Sequence, residues 1–303
     1  MPEKEIKPLK CANCGYEFKD ADNYCPECGQ KNHELKIPFK RLMVEVAENT
    51  LDLDSKALRT VKYLLFKPGF LSSEFNSGKR VRYVPPIRLY LLISFAFFFL
   101  INVVSGPQSK NFNFDTNRTV KTKPKTHISF YNLSTAELVG LTKEQVDSLM
   151  VVKKIEPTNF NKWVAYQLHK IANNGMGQFT QLLRKNISYM MFVLMPVLGA
   201  LIYLFYRKRI NYYIESLVLS IHFHSFVFLF YTIILLIDLV IDQPLIYLLW
   251  IIIPPVYMLL MFMKYFEKRF WISALKTFFI GILYIISLML FFLITAGVSI
   301  ALI

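Results

Sequence analysis

Charged residues are scarce in this chain, and so are glycine, proline and cysteine. Of its 303 residues only 18% are charged, and it holds 11 glycines, 14 prolines and 4 cysteines. This excludes collagen-like, low-complexity disordered and disulfide-scaffold classes. The chain is instead apolar, because 54% of its residues are hydrophobic and 16% are aromatic. That composition is typical of a membrane protein.

The sequence also lacks the motifs of common enzyme classes. It contains no G-x-S-x-G, no phosphate-cradling glycine loop and no H-E-x-x-H. His127 and His169 are single histidines without a fixed carboxylate partner, and solvated surface positions are their simplest interpretation. We therefore do not expect an enzyme.

Five apolar stretches are long enough for transmembrane helices, which need about 20 residues to cross a bilayer. They are Leu89–Val104, about Ile187–Tyr206, Leu217–Ile241, Leu245–Met263 and Thr277–Ile303. Pro196 is tolerated as a kink in the second. The predicted fold class is an all-α polytopic membrane protein with about five transmembrane helices.

Lysine and arginine in short loops predict the orientation of the spans, because such loops stay cytoplasmic. Basic clusters at 79–88, 207–209 and 264–276 fall on one side if the N-terminus is cytoplasmic and the C-terminus extracytoplasmic. The long loop 105–186 then faces outward, and its 12 basic residues do not oppose this because long loops translocate regardless of charge. The chain opens with polar residues, so the first span is expected to act as an uncleaved anchor.

All four cysteines lie near the N-terminus in two C-x-x-C pairs separated by ten residues. The pairs are Cys11 with Cys14 and Cys25 with Cys28, each followed by a glycine. Two such turns present four thiolates, the donor set of a structural Zn²⁺ site. We predict one structural zinc per chain; two disulfides or four free thiols are the alternatives, and a reducing cytoplasm disfavours the disulfides.

The zinc-bearing segment is acidic. Residues 1–35 hold five lysines and seven acidic residues, a net charge of −2, and four thiolates around one Zn²⁺ add about −2 more. Such a surface repels phosphate backbones, so no nucleic-acid partner is expected. The segment is better interpreted as a docking module for a protein partner or for the rest of this chain.

Residues 36–86 are basic and carry apolar residues at helical spacing. One stripe lies at Phe39–Ala47, and a second runs through Leu58, Val61, Leu64 and Leu65 until Lys67-Pro68-Gly69 stops the helix. Basic amphipathic helices beside a span suit an anionic cytoplasmic leaflet. They equally suit packing onto the ends of the transmembrane bundle, and both remain open.

The outward loop carries two capping boxes. Ser134-x-x-Glu137 and Thr142-x-x-Gln145 predict the starts of a short and a longer helix. A third helical stretch is predicted over about Asn161–Lys185, broken near Gly175 and Gly177, which would lie on the outer membrane surface or cover the bundle.

Polar groups at membrane depth are costly and therefore functional candidates. Here they are Glu215, His222 and His224. Glu215 and His222 share a helix face, whereas the two histidines point about 160° apart, so the histidines of one helix do not chelate one metal. Glu215 and His222 would form a proton relay or a ligand pair; alternatively Glu215 is interfacial and His222 is satisfied by a neighbouring helix.

Several segments beside the cysteine pairs carry a resemblance to a known family: Arg59-Thr60, Lys67-Pro68-Gly69, residues 78–86 (GKRVRYVPP), 191–196 (MFVLMP) and 213–226 (YIESLVLSIHFHSF). With them the chain resembles a bacterial family of uncharacterised membrane proteins with an N-terminal zinc ribbon. Members often have a histidine where this chain has Ser216, which argues against a multi-histidine metal site. The resemblance implies a bacterial inner-membrane setting and supplies no activity.

These observations predict a scaffold, regulatory or adaptor protein whose ribbon and basic helices recruit a protein to the bilayer. The alternative is a small transporter or channel that uses Glu215 and His222 or His224. The predicted organisation is a cytoplasmic zinc ribbon (1–35), basic amphipathic juxtamembrane helices (36–86), a first transmembrane helix (87–104), an extracytoplasmic helical loop (105–186) and a four-helix transmembrane region (187–303).

Overall fold

The computed structural model describes residues 9–18, 22–32, 54–105, 129–130, 133–174, 176–240 and 246–301. The described part is almost entirely helical, which confirms the predicted all-α class. The elements are α1 (Asp54–Phe66), α2 (Phe70–Asn76), α3 (Pro86–Ser105), β1 (Ser129–Phe130), β2 (Leu133–Ser134), α4 (Thr135–Leu138), α5 (Lys143–Val152), α6 (Asn159–Asn174), α7 (Met176–Tyr206), α8 (Tyr213–Asp238), α9 (Ile246–Phe266) and α10 (Phe270–Ala301).

Five helices of the described residues are long and apolar enough to cross a membrane. The protein is therefore a multi-pass membrane protein. The spans are Pro86–Val104, Leu182–Tyr206, Tyr213–Asp238, Leu248–Phe266 and Phe270–Ser299.

The last span starts earlier than the sequence predicts, at Phe270 rather than Thr277. The physical reason is Lys276, whose charge would otherwise oppose a span. Its ammonium donates a 2.6 Å hydrogen bond to the Phe205 carbonyl and lies 4.1 Å from the centre of the Tyr206 ring. A carbonyl and an aromatic face together satisfy the cation inside the helix.

The predicted helix break near Gly175 and Gly177 is confirmed. Helix α6 ends at Asn174 and helix α7 begins at Met176, and Gly175 itself lies outside the described residues. Gly177 lies inside α7, which runs to Tyr206. A glycine inside a helix costs only about 1 kcal/mol, which a long helix offsets.

The chain divides into two compact units. The first comprises residues 1–109 and 195–285, and the second comprises residues 110–194 and 286–303. In the first unit α3 packs along α8 through aromatic rings. The Phe228 ring centre lies 5.0 Å from that of Phe97 and 5.8 Å from that of Tyr90.

Helices α1 and α2 form a short hairpin that packs among the spans of the first unit. Leu64 is 1% exposed, and its carbonyl accepts a 2.7 Å hydrogen bond from the Tyr257 hydroxyl in α9. Asn76 donates a 2.8 Å hydrogen bond to the Tyr265 hydroxyl nearer the end of α9. Of the second apolar stripe, Leu64 is therefore packed in the bundle, whereas Leu58 is 76% exposed. The first stripe, 39–47, lies outside the described residues.

The hairpin turn contains Gly69, which has a left-handed backbone with φ +81°. A Cβ atom there would stand 2.9 Å from the Met261 carbonyl oxygen in α9. Both the backbone conformation and the close approach require glycine. The Lys67-Pro68-Gly69 stop signal is confirmed, because α1 ends at Phe66.

The second unit contains a small helical module formed by residues 129–174. Its core includes Leu138 and Val146, both fully buried. The two predicted capping boxes are confirmed at Ser134 and Thr142, where α4 and α5 begin. His169 binds the Leu141 carbonyl at 2.7 Å and so joins two parts of the module, whereas His127 lies outside the described residues.

Candidate metal centre and buried polar groups

The four predicted cysteines come together into one cluster. Their sulfur atoms all lie within 4.8 Å of one another. Cys11 and Cys28 have an Sγ–Sγ distance of 3.7 Å, and Cys14 and Cys25 one of 3.5 Å. A tetrahedral site with metal–sulfur bonds of about 2.3 Å has sulfur–sulfur edges of about 3.8 Å. The cluster therefore fits a single metal ion bound by four thiolates.

Two equivalent turns present these thiols. In the first, the Gly15 amide donates to the Cys11 carbonyl at 2.9 Å; in the second, the Gly29 amide donates to the Cys25 carbonyl at 2.8 Å. Both glycines have positive φ, 83° and 70°. A residue without Cβ lets the backbone close behind the second cysteine of each pair, as the sequence predicts.

A contact that the sequence does not predict joins the cysteine cluster to the α2–α3 loop. The Gln30 side-chain amide donates to the Gly78 carbonyl at 2.9 Å, and its oxygen accepts from the Arg80 amide at 3.2 Å. One side chain thus pairs with the backbone on both sides of Lys79. Gln30 directly follows the second cysteine turn. Its hydrogen bonds therefore link the conformation of that turn to the position of the α2–α3 loop.

His222 lies in α8 and is 4% exposed. Its Nδ1 atom shares a 2.8 Å hydrogen bond with the hydroxyl of Ser72, which is 1% exposed and lies in α2. The neighbouring helix that the sequence leaves open for His222 is therefore α2 of the hairpin.

His224 is 2% exposed and makes its contacts in a different direction. Its Nδ1 lies 2.8 Å from the Ser220 carbonyl oxygen, which only accepts, so Nδ1 carries the proton. In the neutral ring Nε2 then accepts from the Tyr284 hydroxyl in α10 at 2.7 Å. The structure does not bring His222 and His224 onto a common ligand position, in agreement with their angular separation.

Glu215 lies in the first turn of α8, where a carboxylate stabilises the positive end of the helix dipole. It is half-buried and lines a cavity of about 450 Å³ with Asn76, Arg209, Tyr265 and Glu267. Asn76 fixes one wall, because its Nδ2 also donates to the Glu215 carbonyl at 3.3 Å. Glu215 is thus an end-of-helix residue, while His222 lies two turns further along.

Sequence reasoning missed Gln30, Ser72 and Tyr284, which position the candidate residues. Ser72 and His222 are 150 residues apart in the chain, and Tyr284 and His224 are 60 apart. A serine in a hairpin and a tyrosine in an apolar span carry no local signal for such pairs. For Gln30 a weak signal existed, because it follows the C-x-x-C-G turn directly.

Comparison with known proteins gives one family match. The model of a family described as a protein of unknown function (DUF3667) matches residues 54–98, which form α1, α2, their loop and most of α3. No curated protein and no solved structure matches the chain. The matched segment is the hairpin that packs into the spans together with the loop that Gln30 contacts.

Proposed function

We propose that this protein is a membrane scaffold or adaptor of the bacterial inner membrane, with its N-terminus cytoplasmic and its C-terminus extracytoplasmic. A structural Zn²⁺ orders the N-terminal ribbon, and the ribbon presents a surface to a protein partner. The observation that carries this proposal is the four-thiol cluster linked through Gln30 to the backbone of the α2–α3 loop.

Zinc is the metal that the donor set favours. Cys11, Cys14, Cys25 and Cys28 would hold one ion per chain, and four thiolates leave no open position for a substrate or a reactive water. Bound zinc would supply folding energy to a segment with little core of its own, on the scale of about 10–16 kcal/mol known for zinc-finger peptides. The site is therefore structural.

The ribbon also has side chains suited to a protein partner. Leu9 and Tyr24 lie close to the two cysteine turns in the sequence, yet Leu9 is 82% exposed and Tyr24 is 58% exposed. Apolar and aromatic side chains of this kind are typical anchors in protein interfaces. The net charge of −2 over residues 1–35 favours such a partner over nucleic acid.

The buried polar groups support a scaffold more than the alternative of a transporter or channel. His222 bonds to Ser72, and His224 bonds to Ser220 and Tyr284, so the two histidines make their contacts within this chain and in different directions. Holding helices together accounts for the burial of both histidines. A transport pathway would instead be expected to align Glu215 with the histidines along a polar cavity.

Photo-crosslinking in cells tests the scaffold. A photoreactive amino acid at Leu9 or Tyr24 should form adducts with a defined set of proteins, and the same residue at Leu58, which is exposed on α1, serves as the matched control. C14S should abolish the adducts while membrane insertion persists. The same adducts with C14S, or with the probe at Leu58, would argue that the ribbon recruits nothing.

Reporter fusions test the orientation. A reporter inserted at Lys110 and one fused after Ile303 should both signal from outside the cytoplasm. A cytoplasmic signal from either would overturn the proposed topology without affecting the zinc site.

A further inference from the structure

The helical module of residues 129–174 carries large apolar side chains on its surface at one end. Val151 and Val152, at the end of α5, are 72% and 76% exposed. Phe160 and Trp163, at the start of α6, are 62% and 44% exposed, and their ring centres lie 6.4 Å apart. We name these four residues the aromatic end of the module.

The aromatic end is not a weakly packed part of the core. Helices α5 and α6 run antiparallel, and the Tyr166 hydroxyl donates to both Asp147 carboxylate oxygens at 2.8 and 2.9 Å. Met150 and Ala165 fill the interior between them and are each 2% exposed. The module thus has a complete core, and the aromatic end faces away from it.

Basic residues flank this end. Lys154 follows α5 and is exposed in a left-handed conformation with φ 55°, and Lys162 lies between Phe160 and Trp163 in the chain. Apolar and aromatic side chains with lysines beside them are typical of segments that bind at the headgroup interface of an anionic bilayer.

The chain also tethers the module to a membrane. Helix α6 ends at Asn174, α7 begins at Met176, and the second span starts at Leu182. Seven residues lie between Asn174 and Leu182, a distance of about 12 Å in a helix, and the length of α6 from Phe160 to Asn174 adds at most about 21 Å. A surface tethered within about 33 Å of a bilayer needs only weak intrinsic affinity, because its effective concentration at the membrane is high.

We propose that the aromatic end inserts into the interfacial region of the bilayer that the second span crosses. Val151, Val152, Phe160 and Trp163 enter at headgroup depth, and Lys154 and Lys162 contact anionic headgroups. The module then holds the start of α7 at the membrane surface. This role does not depend on the function of the ribbon.

Tryptophan fluorescence of the full chain in lipid nanodiscs tests this. The chain has three tryptophans, so a W250F/W271F variant reports on Trp163 alone. Its emission should be blue-shifted and quenched by lipids labelled near the headgroup more than by lipids labelled near the chain end. Anionic lipid should increase the quenching, and K154E/K162E should remove that increase.

Two controls keep the outcome decisive. A V151S/V152S variant that retains Trp163 should keep the circular dichroism of the parent and lose part of the lipid quenching. Emission that aqueous acrylamide quenches and labelled lipid does not would overturn the proposal. Protection of Trp163 from both quenchers would also overturn it, because that result indicates burial against protein. Protection that appears only with two chains in one nanodisc would overturn it as well, because that result indicates contact with a second copy.

Discussion

Substituting Gly69 by alanine should strongly destabilise the first unit. Two costs add at this position. The left-handed backbone, φ +81°, costs an alanine roughly 1–2 kcal/mol. The new Cβ would also stand 2.9 Å from the Met261 carbonyl oxygen, a backbone atom of α9 that moves only with its helix. Overpacking of this kind costs about 1–3 kcal/mol, so the sum is about 2–5 kcal/mol.

The matched control is Gly281 in α10, which belongs to the same unit. Its Cβ would meet only the end of the Met258 side chain, at 3.9 Å. G281A should therefore be neutral or stabilising by up to about 1 kcal/mol, because alanine is the better helix former.

Thermal stability of the purified chain in detergent measures the difference. At roughly 2–4 °C per kcal/mol, G69A should melt about 5 °C or more below the parent, while G281A should not fall below it. A G69A protein that melts at the same temperature as G281A would show that the hairpin does not pack against α9 in this way.

Three further results are expected. Y284F removes the hydroxyl that donates to His224 Nε2 and leaves a buried nitrogen unsatisfied, so it should cost about 1–3 kcal/mol in the same melt; an unchanged melting temperature would contradict that hydrogen bond. The pKa of Glu137 is lowered by hydrogen bonding from Lys153, so this pair stabilises the module above the ordinary carboxyl pKa and the effect is lost as the pH falls through the lowered value; amide exchange of residues 133–153 should show this acid dependence, and K153A should abolish it. Chelation of the purified chain should make Cys14 react with a thiol reagent while the helical circular dichroism of the spans persists; equal reactivity before chelation would mean that no metal was bound.

Much of the architecture is predictable from local patterns. Five apolar runs predict the spans, and the capping boxes predict the starts of α4 and α5. The C-x-x-C-G repeats predict that the four thiols meet, because each turn is closed by bonds between residues four apart, such as Gly15 to Cys11. Such features depend on neighbours in the sequence, which one chain displays directly.

The features that escaped prediction depend on distant partners. The apolar stripe of α1 suits a bilayer surface and a protein core equally. Only the contact with Tyr257, 193 residues away, places Leu64 in the core, while Leu58 of the same stripe is exposed. The charge of Lys276 indicates a loop residue before the last span. The structure places Lys276 inside the helix, where its ammonium donates to the Phe205 carbonyl.

The ribbon contacts the membrane region through Gln30, and the proposed zinc site would order the ribbon for that contact. Hydrogen–deuterium exchange of residues 77–85, measured on the full chain in nanodiscs with and without chelator, tests whether the two are linked. We predict that zinc removal exposes this loop to exchange, since the Arg80 amide loses its acceptor, and that Q30A gives the same exposure with zinc still bound. Unchanged protection after metal analysis has shown complete removal of zinc would mean that the metal does not order the contact between Gln30 and this loop.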